Sequence, residues 1–325
     1  MGIPASVFVL AAGLLLASAV PASAQRVAFE RTYPVGASPT LDVSTIRGKI
    51  DVSVGDADRM TVRGTATVRL GLSLPANAYE LVKQVAADPP IQQEGAILRL
   101  RPPSGADEQR AMTVAYDVLV PRGTVVKTNS DSGATTVSGI TGPVSVRTQS
   151  AAINIRDLGG DADVTTGSGA VEADGMAGDL HVSTQSSRVS LRNIGAGLHV
   201  RTQSGAIEVT FRGRGNVDVG TGSSAIDLVG VNGGLTATSN SGRIRVSGLP
   251  TAPWQVTSGS GSFDLDFDSN ATLNLDARSG SGSVSVDGST LQGSTSKGSA
   301  SGTVGGGGPL VRATSRSGSI RIGLR

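Results

Sequence analysis

Between residues 133 and 322 the apolar positions of the chain fall into columns. Three stretches align by eye: VSVRTQSAAINIRDLGG from Val144, LHVSTQSSRVSLRNIGA from Leu180 and LHVRTQSGAIEVTFRGR from Leu198. Taking the residue after the central serine as an anchor gives Gly133, Ala151, Gly169, Ser187, Gly205, Ser224, Gly242, Gly261, Gly282 and Gly318, with a dominant period of 18 residues. The last interval is 36 residues, which reads as two periods with a degraded copy near Gly302.

Seven and five residues before the anchor the chain carries Val, Leu, Ala or Trp, as at Val144, Val146, Leu198, Val200 and Trp254; two and four after it come Ile153, Ile155, Ile207, Val209, Phe263 and Leu265. Ser, Thr, Asp, Arg, His and Gly lie between. Alternation with a period of two on both sides of a corner predicts two short strands per repeat, each with one buried face. One such repeat cannot bury its apolar face, but copies stacked about 4.8 Å apart pair strand on strand and enclose a continuous narrow core. The prediction is an all-β chain wound as a parallel β-solenoid, a right-handed β-helix or β-roll of about 10–11 coils of 18 residues. Glycine is expected at the corners, where it supplies positive φ. A further apolar column seven after the anchor, including Ile140, Leu158, Met176 and Ile194, is expected to fill the second corner.

The organisation is read as a signal peptide over 1–24, an irregular β-rich N-terminal cap over 25–120 and solenoid repeats over 121–325. The first 24 residues carry no charge, run apolar from Val7 to Val20 and end in Ala22-Ser23-Ala24, a small-x-small cleavage pattern. Within the cap, NAYELVKQVAA predicts a helix with Asn77 and Glu80 as a capping box. The Gly/Ser-rich segment 289–308 is expected to be a loose coil or flexible loop, and SIRIGLR to place Arg321 and Arg325 at the far edge of the stack, where charge opposes end-to-end pairing. The motifs FERTYPVG, LDVSTIRGKIDV, VLVPRGTVVKT and the iterated V-x-T-x-S-G-x-I-x-V resemble the bacterial putative-adhesin domain family. The resemblance covers nearly all of the mature chain. It implies a right-handed β-helix-like fold and an exported, envelope or surface location, and brings no catalytic residues with it.

Composition narrows the chemistry. There is no cysteine, which excludes disulfides, thiolate metal sites and cysteine catalysis. With 28 basic and 26 acidic residues in 325 and no basic cluster, nucleic acid is excluded as a partner. After residue 24 no segment is long and apolar enough to span a bilayer.

The serines of the repeat invite a hydrolase reading. Ser150, Ser168, Ser186, Ser204, Ser223 and Ser241 stand one before the anchor, and Thr148, Thr166, Thr184, Thr202 and Thr221 two residues earlier. Iteration argues against a nucleophile. These hydroxyls are expected to point inward at the corner as structural ladders that satisfy turn backbone groups of adjacent coils. The two histidines, His181 and His199, are one period apart and outward-facing, which suits solvated side chains better than a catalytic base or a two-histidine metal contact lacking a third ligand. Glu208 and Asp227 are neighbours in an outward column, the spacing a retaining glycosidase would need, but Arg243 and Arg245 interleave with them. GGDAD at 159–163 occurs once, whereas calcium-binding β-rolls iterate their Asp-rich turns. Trp254, Phe263 and Phe267 gather the scarce large aromatics in one region; Trp254 and Phe263 fall in inward columns, which suits core filling at a wider coil better than an exposed ligand platform. No catalytic residue, metal or cofactor is assigned. The expectation is a non-enzymatic, adhesin-like interaction or structural scaffold, exported to periplasm, cell surface or exterior, with an envelope glycan or protein as partner. The alternatives are a polysaccharide-active or polysaccharide-binding β-helix protein and an envelope-stress or signalling accessory.

Overall fold

The computed structural model describes residues 25–324 apart from 37, 70, 72, 73, 289 and 290. Residues 1–24, expected to be a signal peptide, and Arg325 lie outside the described residues. Two stacks of strands run the length of the protein. One contains the strands before each anchor, such as Val144–Thr148, Ala162–Thr166, Leu180–Thr184 and Leu198–Thr202; the other contains those after it, such as Ile153–Leu158, Val171–Met176, Val189–Ile194 and Ile207–Phe211. Each strand pairs in parallel with its counterparts one period away, Val144 opposite Ala162 and Ile153 opposite Val171. The inward side chains of both stacks form one continuous core. The protein is therefore a parallel β-solenoid. Trp254, Phe263 and Phe267 lie inside it, with the Trp254 and Phe267 rings 5.4 Å apart and Trp254 Nε1 donating to the Gly233 carbonyl at 2.8 Å.

Both ends depart from chain order. Residues 40–54, assigned to the cap by sequence, form a regular coil: Thr40–Thr45 pairs with Val125–Ser130, and Ile50–Val54 with Thr135–Ser138. Outside it lies another coil formed later in the chain, because Ile97–Leu100 pairs with Thr40–Thr45 and Met112–Val120 with Ile50–Val54. The first coil is thus held between two segments that follow it in sequence. Antiparallel strands close this end: Ile91–Glu94 on one stack, Arg59–Val68 and then Arg26–Pro34 on the other.

The far end repeats the device. Leu310–Ser315 pairs with Trp254–Ser258 on one side and Leu275–Ser279 on the other, while Ile320–Leu324 lies between Phe263–Phe267 and Val284–Asp287. The last coil is an interior wedge, so Arg321 does not guard a free edge; it pairs with Asp287 at 2.6 Å. The Gly/Ser-rich segment is ordered where it is described. Gln292–Ser296 and Ser299–Val304 form an antiparallel hairpin that pairs with Leu273–Arg278, burying Ala300 and Val304. The interval of two periods is a hairpin that turns the chain back, and Gly305, Gly306 and Gly307, all at positive φ, make the reversal.

The helix Ala78–Ala87 buries Ala78, Val82, Val85 and Ala86. Its expected capping box does not form. Asn77 makes no side-chain cap bond, and Glu80 instead meets Lys83 at 3.0 Å. A second helix, Ala106–Ala111, has the Gly105 N–H donating to the Glu108 carboxylate at 3.1 Å.

Glycine serves two different positions. The anchor glycines do not adopt positive φ; they are small because the preceding coil is close. A Cβ added at Gly205 would overlap the Ser187 carbonyl oxygen, and one at Gly169 the Ala151 carbonyl oxygen. Positive φ falls six residues after the anchor, at Gly139, Asp157, Gly175, Asn193 and Gly230. Asp and Asn are the non-glycine residues that best tolerate this region.

Two expected outcomes follow from these contacts. Gly205→Ala forces a Cβ against a backbone carbonyl held by its own ladder, and should destabilise the protein by about 1–3 kcal/mol in denaturant unfolding; an unchanged midpoint would refute the close-approach account. Asp42 and Arg101 form a bidentate pair, 2.6 and 2.9 Å, that ties coil 40–54 to the end of the Ile97–Leu100 strand. The hydrogen bonds from Arg101 hold the Asp42 carboxyl below its ordinary value of 3.8. A depressed folded pKa means the unfolded chain binds the proton first, so the pair's contribution is full above pH 3.8 and lost as pH falls further. Asp42→Asn should therefore be less stable than wild type at pH 7, with the gap closing only as pH falls below 3.8.

Candidate interaction faces

The corner hydroxyls divide into two sets with opposite orientations. Thr148, Thr166, Thr184, Thr202 and Thr221 end their strands with side chains turned inward and are buried. Four of them accept from the N–H of their own coil's anchor: Ala151 to Thr148 at 3.0 Å, Gly169 to Thr166 and Gly205 to Thr202 at 2.9 Å, and Ser224 to Thr221 at 3.5 Å. Bonds between coils are fewer: Thr221 donates to the Gly205 carbonyl at 3.2 Å and Thr202 to that of Gln185 at 3.4 Å. The threonine column mainly closes its own turn. In the coil whose anchor is Ser187, neither the Thr184 nor the Ser187 hydroxyl finds a partner.

The serines do the reverse of what was expected. Ser150, Ser168, Ser186, Ser204, Ser223 and Ser241 are exposed on the outside of the corner. Residues two apart share a face only while the backbone stays extended, and the strands end at the threonine, so the intervening bend turns the serine out. With them stand exposed Gln149, Gln185, Gln203 and Asn240, one residue earlier in their own coils. The corner is therefore a polar ridge, its side chains spaced by the coil rise.

On the face after the anchor, Glu208 and Asp227 do lie directly opposite each other. Each carboxylate is engaged by a different arginine: Glu208 by Arg188 at 3.2 Å and Asp227 by Arg245 at 3.2 Å, with Arg245 also 3.7 Å from Asp264. This is a ladder of exposed ion pairs, which keeps a broad sheet face soluble. A polar depression of about 140 Å³ lies nearby, lined by Asn154, Arg156, Glu172, Asp174, Ser190 and Arg192. Asn193, at positive φ, donates to Asp174 at 2.7 Å on its margin.

A wider groove of about 560 Å³ opens at the N-terminal end of the same face. Ala28, Thr65 and Ala115 form a shallow floor among charged Glu30, Lys49, Asp51, Arg63 and Asp117. Lys49 pairs with Asp51 at 2.7 Å and Arg63 with Glu30 at 3.1 Å. Beneath, Phe29 packs over Gly64 and edge-on to Tyr116, whose phenol is pushed up by burial.

On the face before the anchor, His181 and His199 are brought directly opposite each other. In the GGDAD turn Asp161 serves the backbone, its carboxylate accepting the Asp179 N–H at 2.9 Å; Asp179 accepts that of Gly197 in the same way. Among the described residues no three His, Cys, Asp or Glu side chains converge to hold a metal, and no helix is long and apolar enough to cross a membrane. The ridge of Gln and Asn and the left-handed column were missed in the sequence, although both are visible there as amide and Gly/Asp/Asn columns.

The opposite orientations of the two hydroxyl columns should separate in stability. Thr202→Val removes the acceptor for a turn N–H and is expected to lower unfolding stability by about 1–2 kcal/mol, whereas Ser204→Ala should stay within about 0.5 kcal/mol. Equal effects in urea titration would contradict the assignment.

Among curated proteins no sequence match is found. One solved structure that aligns is described as a putative cell adhesion protein from Clostridium sporogenes. It is 13% identical, with 91% of this chain and 99% of that chain covered, and at a TM-score of 0.21 it carries no argument about this fold. The sequence profile of the Toastrack DUF4097 family matches residues 120–323. That span takes in most of the coils described above and more than half of the chain, and the protein belongs to the Toastrack DUF4097 family.

Proposed function

We propose that the protein is an exported, non-enzymatic scaffold whose outer ridge and faces engage an envelope component, adhesin-like in use, with residues 1–24 as the export signal. The observation that carries this reading is the ridge. Serine hydroxyls project from successive coils and Gln or Asn amides from four of them, with Gly167 and Gly222 at the amide position of the coils between, on a backbone locked by ladders on both sides. A rigid array of uncharged donors and acceptors suits a repeating polar polymer, because the side chains are already ordered before binding and less entropy is lost on contact. An envelope glycan fits this chemistry best, and a protein partner is the second arm of the test.

Mature protein is expected to bind purified envelope glycan without shortening it, and binding should fall at least severalfold when Gln185, Gln203 and Asn240 are all changed to Glu. Fractionation should find the protein outside the cytoplasm. Release of reducing ends from a polysaccharide, abolished by Glu208→Gln or Asp227→Asn, would overturn the non-enzymatic reading. Glycan binding untouched by the triple change, or binding only to an envelope protein, would overturn the ridge as the glycan site.

A further inference from the structure

The chain contains two histidines in 325 residues, and the fold places them side by side in register. His181 and His199 occupy opposed positions on adjacent parallel strands, Leu180–Thr184 and Leu198–Thr202, with ring centroids 5.7 Å apart and planes tilted by 38°. The row continues in register on both sides: Asp163 stands opposite His181 and Asp218 opposite His199. We propose that His181 and His199 form a binding site for one late first-row divalent cation, copper(II), nickel(II) or zinc(II), with Asp218 as the carboxylate that orients His199.

Three observations support the assignment. Asp218 Oδ2 lies 3.1 Å from His199 Nδ1. A carboxylate on Nδ1 fixes the tautomer that leaves Nε2 free as a ligand, an arrangement that recurs behind metal-bound imidazoles. Asp218 is itself held, since the same oxygen accepts from Arg201 Nη2 at 2.6 Å, while Oδ1 is buried without a partner. The orienting group is therefore fixed from below and partly shielded from solvent. Finally, His181 borders an open groove of about 350 Å³ that it lines with Asp161, Asp163, Lys127 and Ser145. The groove leaves room for a hydrated ion, and Asp163 places negative charge beside it.

The ligand set dictates the selectivity. Two imidazoles with no third protein ligand converging on them among the described residues leave the other positions to water. Such a site prefers nitrogen-seeking cations in the order expected for first-row metals, copper above nickel and zinc, and has little affinity for calcium or magnesium, which require oxygen cages. The absence of cysteine and of any other histidine means that an imidazole signature from the bound metal can arise only here.

The test titrates the intact mature protein with copper(II), zinc(II) or magnesium(II) chloride, followed by calorimetry and, for copper, by electron paramagnetic resonance. Expected are one saturable copper or zinc site, a two-nitrogen hyperfine pattern and no magnesium binding. His181→Gln and His199→Gln should each weaken binding by at least about tenfold, and Asp218→Asn by about tenfold through the loss of orientation. All three side chains face outward, so circular dichroism and the thermal midpoint should remain close to wild type and separate lost ligation from lost fold. Absence of saturable binding, an oxygen-only copper spectrum, or full affinity in the His181→Gln His199→Gln double variant would each overturn the site.

Discussion

Every coil depends on the backbone ladder to the coils on either side. A strand such as Leu198–Thr202 has apolar Leu198 and Val200 on one face and His199 and Arg201 on the other, and it buries the first pair only because its counterparts at 180–184 and 217–221 extend the same face. The spacing of that ladder, about 4.8 Å, leaves little room at the corners. It removes the Cβ from anchors such as Gly205, while within the same coil the Thr202 hydroxyl accepts the turn N–H that would otherwise be buried without a partner. Packing of the core and the small anchor residues follow from one repeat distance.

The same constraint explains the two ends. A ladder end is an open edge, and both ends here are closed by sending the chain back on itself. Coil 40–54 is enclosed by segments from 97 to 138, and coil 310–324 fills the space between coils 254–267 and 273–287. In each case a strand that would have been terminal acquires a partner on both sides. Coil 273–287 meets coil 254–267 through residues 310–324, so this end of the stack is completed only when residues 310–324 are in place. Such pairings, distant in sequence, are the slow ones to form.

Outside, the ladder acts on charge. Opposed and diagonal neighbours on adjacent strands are close enough to interact, and the outward columns use this to neutralise one another: Arg245 directly opposite Asp227, Arg188 diagonal to Glu208 and Arg201 diagonal to Asp218. A column that might have concentrated carboxylates for acid–base chemistry is instead a set of solvated pairs. The polar ridge and the paired histidines are where hydrogen-bonding side chains stand in register at the surface. Function is read there because the scaffold holds these groups at fixed heights without using them to hold itself together.

How much of this was legible depended on whether a feature is local or lies between distant parts of the chain. A period of 18 with inward Val, Leu and Ile at alternate positions sufficed to determine the solenoid, since no other arrangement buries both columns of every repeat, and it also placed His181 opposite His199 and Glu208 opposite Asp227. The orientation of Ser204 was not determined, because alternation holds only in extended backbone and the strand stops at Thr202. Nor was the order of the end coils. LDVSTIRGKIDV carries the same inward pattern as any other coil, and the pattern says which face is buried but not which neighbour covers it. That choice belongs to tertiary structure: parallel coils of near-identical chemistry can stack in more than one order, and only the lengths and closures of the intervening segments, the helices before Met112–Val120 and the hairpin before Leu310–Ser315, decide which order closes the ends.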